Sequence, residues 1–143
     1  MISEFQDEYR WLSNFWPVDI FYRGRNFKSV EHAYQAQKNV SEAWQSFCEK
    51  EIDPKRVKEK SGEISLRSDW YNINEKIMEE LLYLKFSKEP FKSQLLHTQG
   101  EIQEGNKWGD IFWGVDLESG EGKNRLGKMI MKIREEIQKN EKC

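Results

Sequence analysis

The chain has 143 residues, of which 37% are hydrophobic, 34% charged and 13% aromatic. That length suits one domain with a core of its own, and so many aromatics exclude a disordered chain. The formal charge is −2, which argues against a protein that holds duplex nucleic acid mainly by neutralising phosphates, and no apolar run approaches the roughly 18 residues of a membrane span.

In chain order, the N-terminal MISEFQDE carries acid where a secretory leader needs a basic start and an apolar stretch. Residues 1–16 read as irregular and rich in aromatics. Val18–Arg23 reads as a strand, with a turn at Gly24 and a short second strand at Asn26–Phe27. Ser29 is the expected cap of a helix from Val30 to about Asn39, with His32 at its third position. Ser41 starts another helix, to about Lys50, and Asp53-Pro54 opens a third that closes near Ser61-Gly62. The five basic and four acidic side chains of residues 49–60 read as a solvated face. A long helix is expected from about Asn72 to Phe86, burying Ile77, Met78, Leu81, Leu82 and Phe86. Pro90 opens a short helix that ends near Thr98-Gln99-Gly100, and residues 101–116 hold short extended pieces. The last helix runs from about Lys123 to Lys139 on a stripe of Leu126, Ile130, Ile133 and Ile137. The expected class is α+β: a predominantly helical single domain, residues 1–143, with a few short strands. Cys48 and Cys143 make no disulfide framework, so a reducing, cytoplasmic setting is expected. Two histidines without a Cys-x-x-Cys pair leave no structural zinc site in prospect.

Chemistry is sought where polar residues sit among aromatics. In LSNFWP, residues 12–17, Asn14 is either a loop cap or an amide aimed at a ligand while Phe15 and its neighbours stack. In EHAYQAQK, residues 31–38, Glu31, Gln35 and Lys38 fall at i, i+4 and i+7, with Tyr34 beside them. Read as one helical face, they are either a solvated network or a site. The helix dipole favours an ionised Glu31 in the first turn. In LRSDW, residues 66–70, Asp69 reads as a helix cap, Arg67 as a phosphate holder and Trp70 as a stacking ring. In EGNKWGDIFWG, residues 104–114, Glu104 and Asp110 are candidate paired carboxylates; the glycines permit close backbone approach. The GEGKNRLG string at 120–127 fits no phosphate-loop spacing.

These strings, with MEELLYLKF at 78–86, LLHTQGEIQE at 95–104 and GKNRLGKMIMKIRE at 122–135, resemble the YbiA-like/NADAR family in order along nearly the whole chain. The resemblance implies a compact, mainly helical domain that uses no cofactor or metal and cleaves an N-glycosidic bond in a ribose-linked compound. Its substrates would be phosphoribosyl intermediates of early riboflavin synthesis or ADP-ribose on guanine in nucleic acid. A non-catalytic ADP-ribose- or NAD-binding module is the alternative. By the resemblance Asn14, Glu31, Lys38, Trp70, Glu104, Asp110, Trp113 and Asn124 line the pocket. Of these, Glu31, Lys38 and Asp110 are the expected catalytic residues, and Phe15, Tyr34 and Gly114 of the same strings join the expected substrate-binding set.

Such a reaction builds positive charge on C1′ and the ring oxygen, which a carboxylate such as Glu31 stabilises. Asp110 or Glu104 is the candidate acid for the leaving group. Lys38 offers a second route, since a neutral amine captures an opened ribose as a Schiff base. Arg10, Arg67 and Arg125 are the candidates for holding phosphate.

Overall fold

The computed structural model describes residues 1–141. Its chain forms two compact units, a middle unit of Asn14–Lys85 and a terminal unit of Met1–Ser13 with the chain from Phe86 onward. Helices dominate both, and the strands are short.

The middle unit opens with a hairpin of β1 (Ile20–Tyr22) and β2 (Arg25–Phe27), paired Ile20 to Phe27 and Tyr22 to Arg25. Arg23 and Gly24 both take positive φ, 49° and 85°. That geometry matches the right-handed twist of two antiparallel strands. The pairing is shorter than Val18–Arg23, because only three residues a side fit between this turn and the Ser29 cap. Ile20, Tyr22 and Phe27 point inward while Phe21 faces solvent.

Helix α1 (Val30–Ala36) starts at the expected cap, where Ser29 Oγ accepts from His32 N at 3.2 Å. It ends three residues before Asn39. Gln37 N and Lys38 N bond to the carbonyls of Tyr34 and Gln35, tightening the last turn to i, i+3 spacing. Asn39 then leaves the helix, its Oδ1 accepting from Ser41 N at 2.8 Å and its Nδ2 donating to Ser65 O at 2.9 Å. Lys38 therefore lies past the helix, not on the face shared by Glu31 and Gln35.

Helices α2 (Glu42–Lys50) and α3 (Pro54–Ser61) have the expected bounds, capped by Ser41 and Asp53. Helix α4 (Trp70–Phe86) begins two residues before Asn72, since Trp70 N and Asn72 N already bond to the carbonyls of Arg67 and Asp69. Ile77, Leu81 and Leu82 are fully or almost fully buried, each contributing about 1.5–3 kcal/mol. Lys85 extends the Ile77–Leu81 row and is wholly buried, and that burial pulls its amine down to about 7.

In the terminal unit a 3-10 helix spans Asp7–Leu12, and Ile2 bridges Ile102. Helix α5 (Phe91–Leu96) is shorter than expected. Thr98 Oγ1 turns back to Leu95 O, and Arg134 holds Thr98 Oγ1 and the Gly100 carbonyl, closing the helix end. Strands β3 (Gly105–Asn106) and β4 (Val115–Asp116) pair in parallel. Helix α6 (Arg125–Glu141) follows Asn124, whose φ of 51° marks the break before it. The N–H groups of Lys123, Asn124, Arg125 and Leu126 donate to the carbonyls of residues 111–114, so the exposed donors of this helix start are met by the turn before β4. The buried stripe of Leu126, Ile130, Ile133 and Ile137 is as expected.

Candidate active site

The middle unit gathers six of the expected residues. Glu31 lies in the first turn of α1 and is only 6% exposed. Its backbone N–H donates to Asn14 O at 3.0 Å, which fixes the LSNFWP loop against the helix start. Gln35, one turn on and 3% exposed, donates from Nε2 to Glu31 Oε2 at 2.7 Å. A carboxylate taken out of water needs such donors and a counter-charge. The Asn14 amide donates to Met78 Sδ, and two buried acceptors, Asn14 Oδ1 and Gln35 Oε1, have no donor among the described residues.

Lys38 supplies the counter-charge. Its Nζ lies 6.0 Å from the ring centres of both Tyr34 and Trp70, and those rings pack at 5.1 Å and 58°. Arg67 N donates to Lys38 O at 2.8 Å, which brings LRSDW against the end of α1. Burial holds the Lys38 amine below the usual lysine value. The ammonium of Lys58 pushes the same way, and the Glu31 carboxylate opposes both. Cys48 is fully buried and its thiol is pushed up to about 12, so it is an inert packing group. Trp70 is 3% exposed, so it forms a wall behind Lys38 instead of a free stacking platform. Phe15, exposed in the loop, has its ring centre 5.8 Å from Lys58 Nζ. Arg67 is occupied as a side chain: its Nε and Nη2 donate to the two oxygens of Asp69 at 2.6 and 3.2 Å.

The terminal unit gathers the other five around one buried amide. Asn106 Nδ2 donates to Glu104 Oε2 at 3.1 Å and to Asp110 O at 2.8 Å, and its Oδ1 accepts from Asp110 N. Glu104 and Asp110 thus both bond to Asn106, Glu104 through its carboxylate and Asp110 through its backbone. Asp110 Oδ1 accepts from Phe112 N and Trp113 N, closing a tight turn that presents Trp113 edge-on to Phe112. A side chain at Gly114 would collide with Glu104 and Asn106. Asn124 spends its amide on backbone, donating to Ile102 O at 2.9 Å and accepting from Glu104 N at 3.0 Å.

Two residues that no motif singled out belong to this account. Lys58 comes from the charge-rich 49–60 stretch, which gives no sequence signal for it. Asn106 is one polar residue among several in its loop. Among the described residues no group of three or more His, Cys, Asp or Glu side chains is placed to hold a metal. No helix among them is long and apolar enough to cross a membrane.

The structure is thus a mainly helical α+β protein with a buried carboxylate, a desolvated amine and stacked aromatic rings drawn together from distant strings. The chain belongs to the NADAR domain family, whose model matches residues 2–138. It is 31% identical over 136 residues to the N-glycosidase YbiA of Escherichia coli, covering 92% of this chain and 83% of YbiA. It is 33% identical over 136 residues to an N-glycosidase of Nostoc punctiforme, covering 90% and 86%. Identity to a riboflavin biosynthesis protein of Vibrio vulnificus is 34% over 137 residues, covering 94% of this chain but 37% of that longer protein. The NMR structure of E. coli YbiA superposes with a TM-score of 0.84 at 27% identity, covering 98% of this chain and 84% of that one.

Proposed function

We propose that the chain hydrolyses the N-glycosidic bond of a ribose-linked compound. The observation that carries this reading is the buried Glu31 carboxylate, held by Gln35 and facing the charge of Lys38. A low-dielectric carboxylate with a fixed orientation is what an oxocarbenium-like centre at C1′ requires. The names of the relatives, N-glycosidase and riboflavin biosynthesis protein, support an N-glycosidic bond and an intermediate of riboflavin synthesis; ADP-ribosylated guanine is the other substrate to be tested.

Two routes use these residues. In direct hydrolysis, Glu31 stabilises the charge as the C1′–N bond breaks. Its electron pair leaves on the heterocycle, which takes up a proton, and water adds to C1′. In the covalent route, the lone pair of neutral Lys38 Nζ attacks C1′ as the same bond breaks. The glycosyl-lysine opens to an imine, and water then hydrolyses it. The lowered basicity of Lys38 favours this second route, because the amine must be neutral to attack.

The test is release of free base from a panel of ribosylated substrates. Glu31→Gln should lower kcat by roughly a hundredfold or more, the loss expected when a charge-stabilising group is removed; full activity in Glu31→Gln removes the assignment. Borohydride should trap a protein–ribosyl adduct in the wild type and none in Lys38→Ala, whereas absence of any adduct leaves direct hydrolysis. Turnover should survive EDTA, since neither route calls on a metal. Tight binding of ADP-ribose without turnover of any panel member would make the chain a binding module instead.

A further inference from the structure

The terminal unit holds a cavity of about 650 Å³, lined by residues of the N-terminal segment and of α5 with its flanks. That volume falls in the range of sites for small organic ligands. Tyr9, Trp11 and His97 line it with rings, beside Ile2, Pro90 and Gln94. Trp11 is set in place: its Nε1 donates to Glu8 O at 3.0 Å, and its ring meets Phe86 edge-on at 6.4 Å. Several other donors of the lining are spent on the protein. Ser93 Oγ donates to Glu89 Oε2 at 2.8 Å and Thr98 Oγ1 to Leu95 O at 2.7 Å. His97 Nδ1 lies 2.6 Å from Ser93 O, which only accepts, so Nδ1 carries a proton and the neutral ring leaves Nε2 as an acceptor. Gln94 Oε1 is buried and finds no donor among the described residues, a state that costs free energy until a donor arrives. Among the described residues no Asp, Glu, Lys or Arg side chain lines the cavity. The one carboxylate bonded to its lining, Glu89 on Ser93, repels an anion.

We propose that this cavity is a second binding site, built from none of the residues of the Glu31 cluster, and that it takes a neutral heteroaromatic compound bearing N–H donors. Each part of that description answers a feature of the lining. Rings on the wall favour a flat ring as ligand. Acceptors left without protons, Gln94 Oε1 and His97 Nε2, call for a ligand that brings its own. A lining without ionised side chains, with an acid bonded to it, selects against phosphates. Free purine and pyrimidine bases have this chemistry, as do the bases that N-glycosidic hydrolysis releases, so they serve as probes. The inference does not depend on the hydrolase reading, since it concerns binding to other residues.

The readout is the indole N–H resonance of Trp11 in a nitrogen-15-labelled protein, identified by its loss in Trp11→Phe. Adenine, uracil, uracil methylated at both ring nitrogens, and adenosine monophosphate are titrated in turn. Adenine or uracil should shift the Trp11 resonance to saturation. Methylated uracil should bind about tenfold or more weakly than uracil, because it has no proton for the acceptors, and the monophosphate should bind more weakly than adenine. Gln94→Leu, which keeps the bulk and removes the acceptor, should weaken the better base by about tenfold. Ser93→Phe, at an exposed position on α5, should fill the cavity and abolish the shift. Glu31→Gln should leave the titration unchanged, which separates this cavity from the candidate active site. A Trp11 resonance unmoved by both bases overturns the inference, and that measurement needs no variant beyond the one used for assignment. So does equal affinity for uracil and its methylated form, equal affinity for adenine and its monophosphate, or unchanged affinity in both Ser93→Phe and Gln94→Leu. If the wild type cleaves nothing, the hydrolase reading fails while the titration still decides the role of the cavity.

Discussion

A buried carboxylate can rotate about its terminal bond unless a neighbour holds it, and Gln35 holds Glu31 by one oxygen at 2.7 Å. Removing that donor leaves the Glu31 oxygen buried and short of a hydrogen bond, a penalty of about 1–3 kcal/mol. Gln35→Leu should therefore lower kcat by about ten- to a hundredfold with KM little changed, and Gln35→Glu should move the acid limb of the kcat profile to higher pH by setting a second carboxylate against Glu31. An unchanged profile in Gln35→Glu would leave Gln35 a packing residue only. Lys38 carries a related expectation. Its amine is less basic than an ordinary lysine, so the rate of borohydride trapping should climb with pH and level off below the range of an exposed lysine. The sequence shows Glu31, Gln35 and Lys38 as polar residues on a segment that also carries the apolar Val30, Ala33 and Ala36, and this pattern points to the candidate site. It does not show that Lys38 falls beyond the helix, because the side chain of Asn39 breaks the turn by bonding to Ser65, 26 residues away.

At the level of elements, cap chemistry was legible, while the ends of α1 and α5 and the start of α4 were not. Ser29, Ser41 and Asp53-Pro54 each act through bonds to residues two or three positions on, so their signal is local. Arg67 and Asp69 set the start of α4 through backbone carbonyls that no residue type announces. Nor does spacing reveal that His32 joins two elements. His32 Nε2 lies 2.7 Å from Glu51 O, which only accepts, so Nε2 carries a proton; its Nδ1 lies 2.6 Å from Ser29 Oγ, which donates to it when the ring is neutral. Burial, the largest cause, lowers the His32 pKa, and the Glu51 carbonyl only partly offsets it; Lys28 lowers it further while Glu51 and Asp53 raise it. The unfolded histidine binds its proton near pH 6.5 and the folded one at lower pH. The contribution is thus complete above about 6.5 and declines as pH falls from there through the folded value. Urea unfolding at pH 5.5 and 7.5 should show the wild type losing stability at the lower pH, with a smaller loss in His32→Gln. Ser29→Ala should cost about 2 kcal/mol at pH 7.5, since it removes both a cap and the donor to His32.

For the whole chain, the order of its motifs carried more than any one of them, and the family it belongs to was legible because those strings run from residue 12 to residue 135. Net charge was legible too, but the state of each cation was not, since ion pairing joins residues such as Arg25 and Glu49 across 24 positions. The two together decide how the molecule meets nucleic acid. A formal charge of −2, with Arg25, Arg56 and Arg67 already committed to acids, gives no net attraction to a phosphate backbone. A protein making six to ten phosphate contacts loses about 10³–10⁵ in affinity between roughly 50 and 200 mM salt. A substrate recognised by its ribosyl group, with little contact to a strand, should change KM by only a few-fold over that interval. Labelled, unmodified duplex DNA should give no anisotropy change at about 150 mM salt. A duplex carrying a ribosyl group on guanine, if it binds, should do so with a shallow salt slope, because recognition then resides in the ribosyl group and not in the strand. A steep slope on either duplex would mean that the polynucleotide itself is the ligand, contrary to the charge balance of the chain.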